Sequence, residues 1–412
     1  MSLSSENPFK SNPLAIIPET PWYKSPTPTM KTILLSFAAT LTALVAEPQV
    51  PPVMEIGTSV PDFTLPGIDG ENHSLSDYSR SKVLCLIFTC NHCPDAVAAA
   101  GRMEKLHQDY KDKGVAVVAV SSSSPAGLRP DELGYSAYGD TFEEMTPFAK
   151  DNGWTFPYLY DGETQTLSAA CGAQSTPHVF IFGEDRKLAY TGRMDDAGRK
   201  FGPVEKSYVR NALDEILAGK TVTTPTTRSF GCSTKWAWKK TEVAADQKRW
   251  ESLPVTVGML DAEAAKKLRE NDTDNVRLVN FWSTTCGPCI AEFPELVDTY
   301  RRFQNRSFDM VTISLDPPSD EKKVQKFLEK KHAALSPQTK ESVEKAGRTT
   351  NNYIFSGENA DLLAEAIDSE WTGAQPHSVL ISPDGKILWR HNGQIEVVAL
   401  RKAIVKALEG MP

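Results

Sequence analysis

Two cysteine pairs carry the chemistry of this sequence: Cys90-Asn91-His92-Cys93 and Cys286-Gly287-Pro288-Cys289. Two thiols at this spacing close a disulfide, exchange it with another thiol, or supply half of a metal site. Each pair follows an apolar run, Val83–Phe88 and Val276–Trp282, and helical periodicity begins just after it. A cysteine at a helix start meets unpaired N–H groups and the positive end of the helix dipole, which favour the thiolate. The thiolate is the attacking species in disulfide exchange. On this ground Cys286 attacks and Cys289 resolves the mixed disulfide; Cys90 and Cys93 take the same roles in the first pair. A zinc site would need a second cysteine or histidine pair nearby, and the segment around Cys286 has none.

The elements that must hold these pairs are legible as two similar runs. In the first, about 53–220, strands are expected at Val83–Phe88, Val115–Val120, Phe156–Tyr160, Val179–Phe182 and Leu188–Gly192. Helices are expected near 94–112, 141–151, 163–172 and 207–219, and Gly183-Glu184-Asp185-Arg186 is a hairpin turn. In the second, about 251–412, strands are expected at Val276–Trp282, 308–315 and Ser378–Ser382. Helices are expected at 290–305, 320–332, 360–369 and Val397–Leu408, the first of them kinked by Pro294. Strands alternating with helices predict an α/β fold, a central mixed sheet flanked by helices, twice in tandem. Cys90 and Cys286 lie 196 positions apart, and Pro177 and Pro376 lie 199 apart, as expected of a duplication. Between the runs, 221–250 changes to Thr, Ser, Pro, Lys and Trp, predicting a linker with a docked tail around Gly231-Cys232-Ser233-Thr234-Lys235-Trp236. The Gly/Ser/Pro-rich stretch 121–140 is expected to be a surface loop, with substrate access as its functional alternative. The insertion 333–359 is equally ambiguous, and His107, His332 and His391 are expected at the surface.

Composition sets the outer limits. A chain of 412 residues suits two or three domains. At 24% charged and 40% hydrophobic it can bury cores. A net charge of −8 argues against nucleic acid or anionic lipid as the main partner. Seven cysteines are too few for a disulfide scaffold of this length. Residues 1–29 are polar and Pro-rich. Met30-Lys31 and the apolar run Thr32–Ala46 follow, the pattern of a signal peptide. The expectation is an exported, periplasmic or extracytoplasmic protein translated from Met30, with 1–29 a non-native or disordered extension.

The segment NFWSTTCGPCIAEFPEL, with Gln375-Pro376-His377-Ser378-Val379, resembles the thioredoxin fold, in particular the exported thiol–disulfide oxidoreductases that include TlpA and ResA. That resemblance implies a cis Pro376 facing the cysteine pair, with Gln375 and Pro376 beside the substrate groove. Asn280 stands where thioredoxin has a buried Asp, and Thr285 replaces the tryptophan usual before the first cysteine. Glu292, three residues after Cys289, matches the glutamate of the exported branch. It is a candidate base for Cys289, or else a solvated helix residue. Residues 53–236, with Gly57-Thr58-Ser59-Val60-Pro61-Asp62-Phe63, the Cys-Asn-His-Cys-Pro site, Ser175-Thr176-Pro177-His178 and the Gly-Cys-Ser-Thr-Lys tail, resemble redoxin (AhpC/TSA-type) thioredoxin family proteins. Thr176 and Pro177 would then border the first groove.

His92 lies between the first two cysteines. Its cation is expected to lower the Cys90 pKa and make that disulfide more oxidising, or else it is an untuned spacer. By resemblance to histidine-bearing oxidants and to thioredoxin, the two pairs would differ by ~90 mV, roughly 4 kcal/mol for two electrons, favouring flow from the second to the first. Cys85 reads as a small buried hydrophobe. Cys171 and Cys232 either form a disulfide that pins the tail, or Cys232 is a third redox thiol meeting Cys90 and Cys93, or they stay unpaired. The expected activity is thiol–disulfide oxidoreduction with protein or small-molecule thiols and disulfides, without an organic cofactor, a metal or nucleic acid, and with a possible membrane-bound electron donor. The competing readings are a binding module, with copper held by Cys90, Cys93 and His178, and a thiol peroxidase. The peroxidase reading suffers because Pro-x-x-x-Thr-x-x-Cys is absent from both sites.

Overall fold

A computed structural model describes residues 49–199 and 204–410. The expected extension 1–29 and signal segment 30–46 lie outside the described residues. Among the described residues no helix is long and apolar enough to cross a membrane.

The first domain contains β1 (Thr64–Pro66), β2 (Asn72–Ser74), β3 (Val83–Thr89), α1 (Pro94–Tyr110), β4 (Val115–Ser121), α2 (Phe142–Asp151), β5 (Tyr158–Tyr160), α3 (Thr166–Cys171), β6 (Ser175–Thr176), β7 (His178–Phe182), β8 (Leu188–Gly192) and α4 (Tyr208–Leu217). Its main sheet has the order β5-β4-β3-β7-β8, with β7 antiparallel to both of its neighbours, β3 and β8, and the other strands parallel to one another. Every residue of β3 is buried, because the strand is covered on both faces. Successive side chains alternate between those faces. Val83, Cys85 and Ile87 pack with Met103, Leu106 and Leu213 on one side. Leu84, Leu86 and Phe88 pack with Leu167 and Cys171 on the other. Cys85 is the buried hydrophobe expected, its thiol pushed up to about 12 by burial.

Next come β9 (Cys232–Ser233), α5 (Lys240–Glu251), β10 (Gly258–Leu260), α6 (Ala262–Glu270), β11 (Val276–Trp282), α7 (Gly287–Phe303), β12 (Phe308–Ser314), α8 (Glu321–Lys330), α9 (Pro337–Lys345), β13 (Asn352–Phe355), α10 (Ala360–Ile367), β14 (His377–Ile381), β15 (Ile387–Asn392) and α11 (Val397–Glu409). The second sheet has the order β10-β13-β12-β11-β14-β15. Again the central strand divides its side chains. Leu278 joins Phe293, Leu296 and Ile404, while Val279 and Phe281 join Leu363 and Trp371. The helix α7 continues through Pro294.

Three regions differ from expectation. The presumed linker holds helix α5, whose only buried side chain is Trp250. That is too narrow an apolar face for periodicity to reveal. The insertion holds α9 and β13, a short strand between β10 and β12. The loop 121–140 is not a plain surface connection. Ser122 to Ser124 are buried, and Gly134 and Ser136 offer carbonyls to Arg306, just past α7, and to Arg302 of α7, at 2.7 and 3.4 Å.

Candidate active site

The second site is built as the spacing suggests. Strand β11 delivers Ser283-Thr284-Thr285, and Asp316 anchors that turn by accepting from the Thr284 N–H at 2.7 Å and its hydroxyl at 2.5 Å. Cys286 caps α7, and its sulfur accepts the Cys289 N–H at 3.2 Å. The two sulfurs are joined, 1.99 Å apart. Cys286 is half-buried and Cys289 fully buried, the arrangement an attacking and a resolving sulfur need. The Gln375-Pro376 bond is cis. Glu292 is not a solvated helix residue: it is 2% exposed. Its carboxylate accepts from the Asn280 amide at 3.1 Å and the Ile395 N–H at 2.8 Å, and Asn280 also reaches Ser378 at 3.0 Å. Burial raises its pKa against the pull of those two hydrogen bonds, so a proton is held more firmly there than on an exposed carboxylate. It makes no hydrogen bond to Cys289 among the described residues.

The first site departs from this plan. Strands β3 and β11, helices α1 and α7, and strands β4 and β12 superpose in number with one offset: Val83 to Val276, Pro94 to Gly287 and Val115 to Phe308 are each 193 positions. The cysteine motifs differ by 196. The first pair is therefore set back by three residues, almost one helical turn. Cys93, not Cys90, caps α1 and corresponds to Cys286. Cys90 corresponds to Ser283, and the place of the resolving Cys289 is held by Ala96.

This placement puts Cys93, rather than Cys90, at the helix start. Both are fully buried. Burial pushes the Cys90 thiol up, and the nearby Cys93 and Asp140 add to it; its contact with Thr176 Oγ1 at 3.1 Å only partly offsets this. Burial also works against a Cys93 thiolate. It is outweighed by hydrogen bonds from the Cys232 and Cys90 thiols, by the charge of His92 and by the Cys232 N–H at 3.3 Å, so the Cys93 pKa is lowered. The Thr176 carbonyl, 3.1 Å from the same sulfur, favours the thiol, but Cys93 remains the more acidic of the pair. The charge of His92 acts on Cys93. Its Nδ1 meets Asp140 Oδ2 at 2.6 Å, and although burial disfavours its charge, Asp140 raises its pKa. Asp140 had no signal in the sequence beyond a Gly-Asp at the end of a loop. Asp95 was missed too; its Oδ1 is buried without a partner, and its Oδ2 meets Arg199 Nε at 3.1 Å.

The tail closes over this site. Cys232 and Ser233 pair antiparallel with Thr176 and Ser175, next to the cis Thr176-Pro177 bond. Gly231 has φ +141°, and a Cβ there would lie 2.0 Å from the Thr176 carbonyl oxygen. The Thr234 hydroxyl donates to Ala173 at 2.6 Å, and Gln165 bridges the Lys235 carbonyl at 2.9 Å and the Ala237 N–H at 2.8 Å. Trp236 is buried, stacked on Trp238. Cys171 and Cys232 are both free, which removes the disulfide alternative. Cys171 sits in the core behind the sheet, while Cys232 packs against Cys90 and Cys93. His178 drops out of the copper set as well: its Nδ1 accepts from the Gln174 N–H at 3.3 Å and its Nε2 meets Thr191 at 3.2 Å. Donor atoms of Cys93, Asp95 and Cys232 lie within 4.8 Å of one another, and so do those of Cys90, His92 and Asp140.

Thiol–disulfide oxidoreductase ResA of Geobacillus kaustophilus is 31% identical over 34% of this chain and 71% of its own length. ResA of Geobacillus thermodenitrificans is 28% identical over 32% and 66%. The chain thus spans about two thirds of the length of these relatives. An uncharacterized conserved protein of known structure, also from Geobacillus kaustophilus, is 36% identical over 44% of this chain and 92% of that one, with a TM-score of 0.40. The AhpC/TSA family model matches residues 56–191 and again 256–390. Those two stretches contain both cysteine pairs and all but the last one or two residues of both central sheets, and with most of its length matched the chain belongs to the AhpC/TSA family.

Proposed function

We propose that this protein is an exported thiol–disulfide oxidoreductase that exchanges disulfides with protein or small-molecule thiols at both cysteine pairs. The observation that carries this reading is the second site. A half-buried sulfur caps a helix, a buried sulfur lies one turn behind it, and a cis proline follows in the chain. Cys286 attacks the partner's disulfide; Cys289 then attacks Cys286 and releases the partner. Glu292, buried one turn past Cys289, holds or takes the proton of that step. Gln375 and Pro376 border the partner's path. In the first site the exchange passes through Cys93, the helix-capping sulfur. The electrons are carried by sulfur, so the reaction as written requires no organic cofactor.

The test is a redox titration of the full chain, with each thiol read by alkylation and peptide mass. Exchange chemistry is expected to show as reversible titration of both pairs between about −120 and −280 mV. A pair that stays oxidised well below about −300 mV is structural, and that site would be withdrawn from the proposal. Export is tested by N-terminal sequencing of secreted protein, which is expected to begin just after Ala46.

A further inference from the structure

We propose, resting on the exchange reading above, that Cys232 is the resolving thiol of the first site, carried on a tail strand that occupies the position of a substrate strand. The second site keeps its resolving sulfur at Cys289, and the matching position in the first is Ala96. The first site must therefore draw this sulfur from elsewhere, and two thiols touch Cys93. Cys90 is enclosed at the end of β3 and tied to Thr176 Oγ1. Cys232 is half-exposed, and its N–H already points at the Cys93 sulfur at 3.3 Å. Beside both Cys93 and Cys232 lies a proton acceptor. Asp95 is 3% exposed, its Oδ1 has no partner, and its carboxylate is within 4.8 Å of both sulfurs. The tail is set in place by Gly231, Thr234, Lys235 and Trp236, whereas its hold on the sheet edge is only two residues long. It is thus positioned closely enough to deliver a thiol and lightly enough paired to lift for a partner.

The reaction balances without a further reactant. The Cys93 thiolate attacks one sulfur of a partner disulfide. That S–S bond breaks, one half leaves as a thiolate and takes a proton from water, and the other half stays on Cys93. Cys232 passes its proton to Asp95, and its sulfur attacks Cys93. The mixed disulfide breaks, and the second half leaves with the proton from Asp95. The partner disulfide gains two electrons and becomes two thiols; Cys93 and Cys232 lose one electron each and become a disulfide.

The experiment treats the reduced full chain with limiting glutathione disulfide, alkylates, and maps peptides without reduction. The expected product is a Cys93–Cys232 crosslink, in the wild type and in Cys90→Ser. In Cys232→Ser a glutathione adduct on Cys93 should persist at least about tenfold longer. In Asp95→Asn the release of glutathione should be slowed more than its capture, with the pH dependence of release altered. A wild-type map showing a Cys90–Cys93 crosslink with Cys232 fully alkylated would overturn the inference and leave the exchange reading intact; it needs no variant to fold. Stoichiometric zinc or copper retained by the three thiols after chelation would also overturn it. Failure of glutathione to react at either cysteine pair would overturn the exchange reading itself, and this inference with it.

Discussion

The two domains share a strand-to-helix plan and a cysteine spacing, yet they make different devices. In the second, the capping sulfur Cys286 is half-open and, among the described residues, no strand pairs with Ala374-Gln375 beside the cis proline. In the first, both sulfurs are enclosed and the corresponding edge is paired with the chain's own tail. The difference comes from two small changes. The motif is set back by three residues, which hands the helix cap from the first cysteine to the second. An added segment then brings a third thiol to the sheet edge. One spacing thus sets different cysteines at the helix start: the Cys286 sulfur accepts an N–H of α7, whereas Cys93, at the N-cap of α1, takes its N–H from Cys232 of the tail.

The comparison breaks most visibly at the cysteines. Cys93→Ser should lower exchange at the first site by about 100-fold or more, whereas Cys90→Ser should cost less than about tenfold, as expected of an attacking and a non-attacking group. Rates of mixed-disulfide formation, followed by mass, decide it, and equal losses would restore the order expected from the motif. Opening the first site should make it resemble the second. Gly231→Ala forces a side chain against the Thr176 carbonyl in a backbone region that disfavours it; about 1–3 kcal/mol of strain should speed alkylation of Cys93 by roughly tenfold or more. The rate at Cys286, once its pair is reduced, serves as the unaltered reference.

A smaller effect separates the electrostatics. Asp140 raises the pKa of buried His92. The pair therefore stabilises the fold fully below the ordinary imidazole value, and this is lost as the pH rises through the raised one. Asp140→Asn should remove that pH dependence. It should also slow Cys93 alkylation by about tenfold or less, since a neutral His92 no longer favours the thiolate. The smallest effect belongs to the second site. Because burial raises the Glu292 pKa, the folded chain binds its proton more tightly than the unfolded one, so stability falls as the pH rises from the ordinary carboxylate range through the raised value. Glu292→Gln should flatten that slope in urea titrations, and an unchanged slope would assign it elsewhere.

Much of this was readable beforehand, for identifiable reasons. The central strands are mostly apolar runs, and Val276–Trp282 is legible to the residue although Arg277 and Asn280 interrupt it. The short strands β10 and β13 were missed, since three or four residues carry no measurable period. The second site was legible because its chemistry is local: cap, pair and Glu292 lie within one helix and its entry. The surroundings of the first were not legible, because they are distant in sequence. Asp140 is 48 residues from His92, and Cys232 is 139 from Cys93. Spacing within a four-residue motif says nothing about which distant group will be folded against it.

The contact between α7 and the loop at 134–136 has a consequence for how the molecule melts. Arg302 of the second domain is 3% exposed, held near a carbonyl of the first, and desolvation lowers its pKa to about 10. Arg306 lies over the Tyr135 ring, 4.3 Å from its centre, and Lys402 reaches Asp151 at 2.6 Å. Unfolding the first half alone would strip these cations of their partners while the second half still held them in place, and unfolding the second alone would leave the partners uncovered. The duplicated folds are thus expected to behave as one cooperative block in calorimetry rather than as beads on a string, with one melting point in place of two.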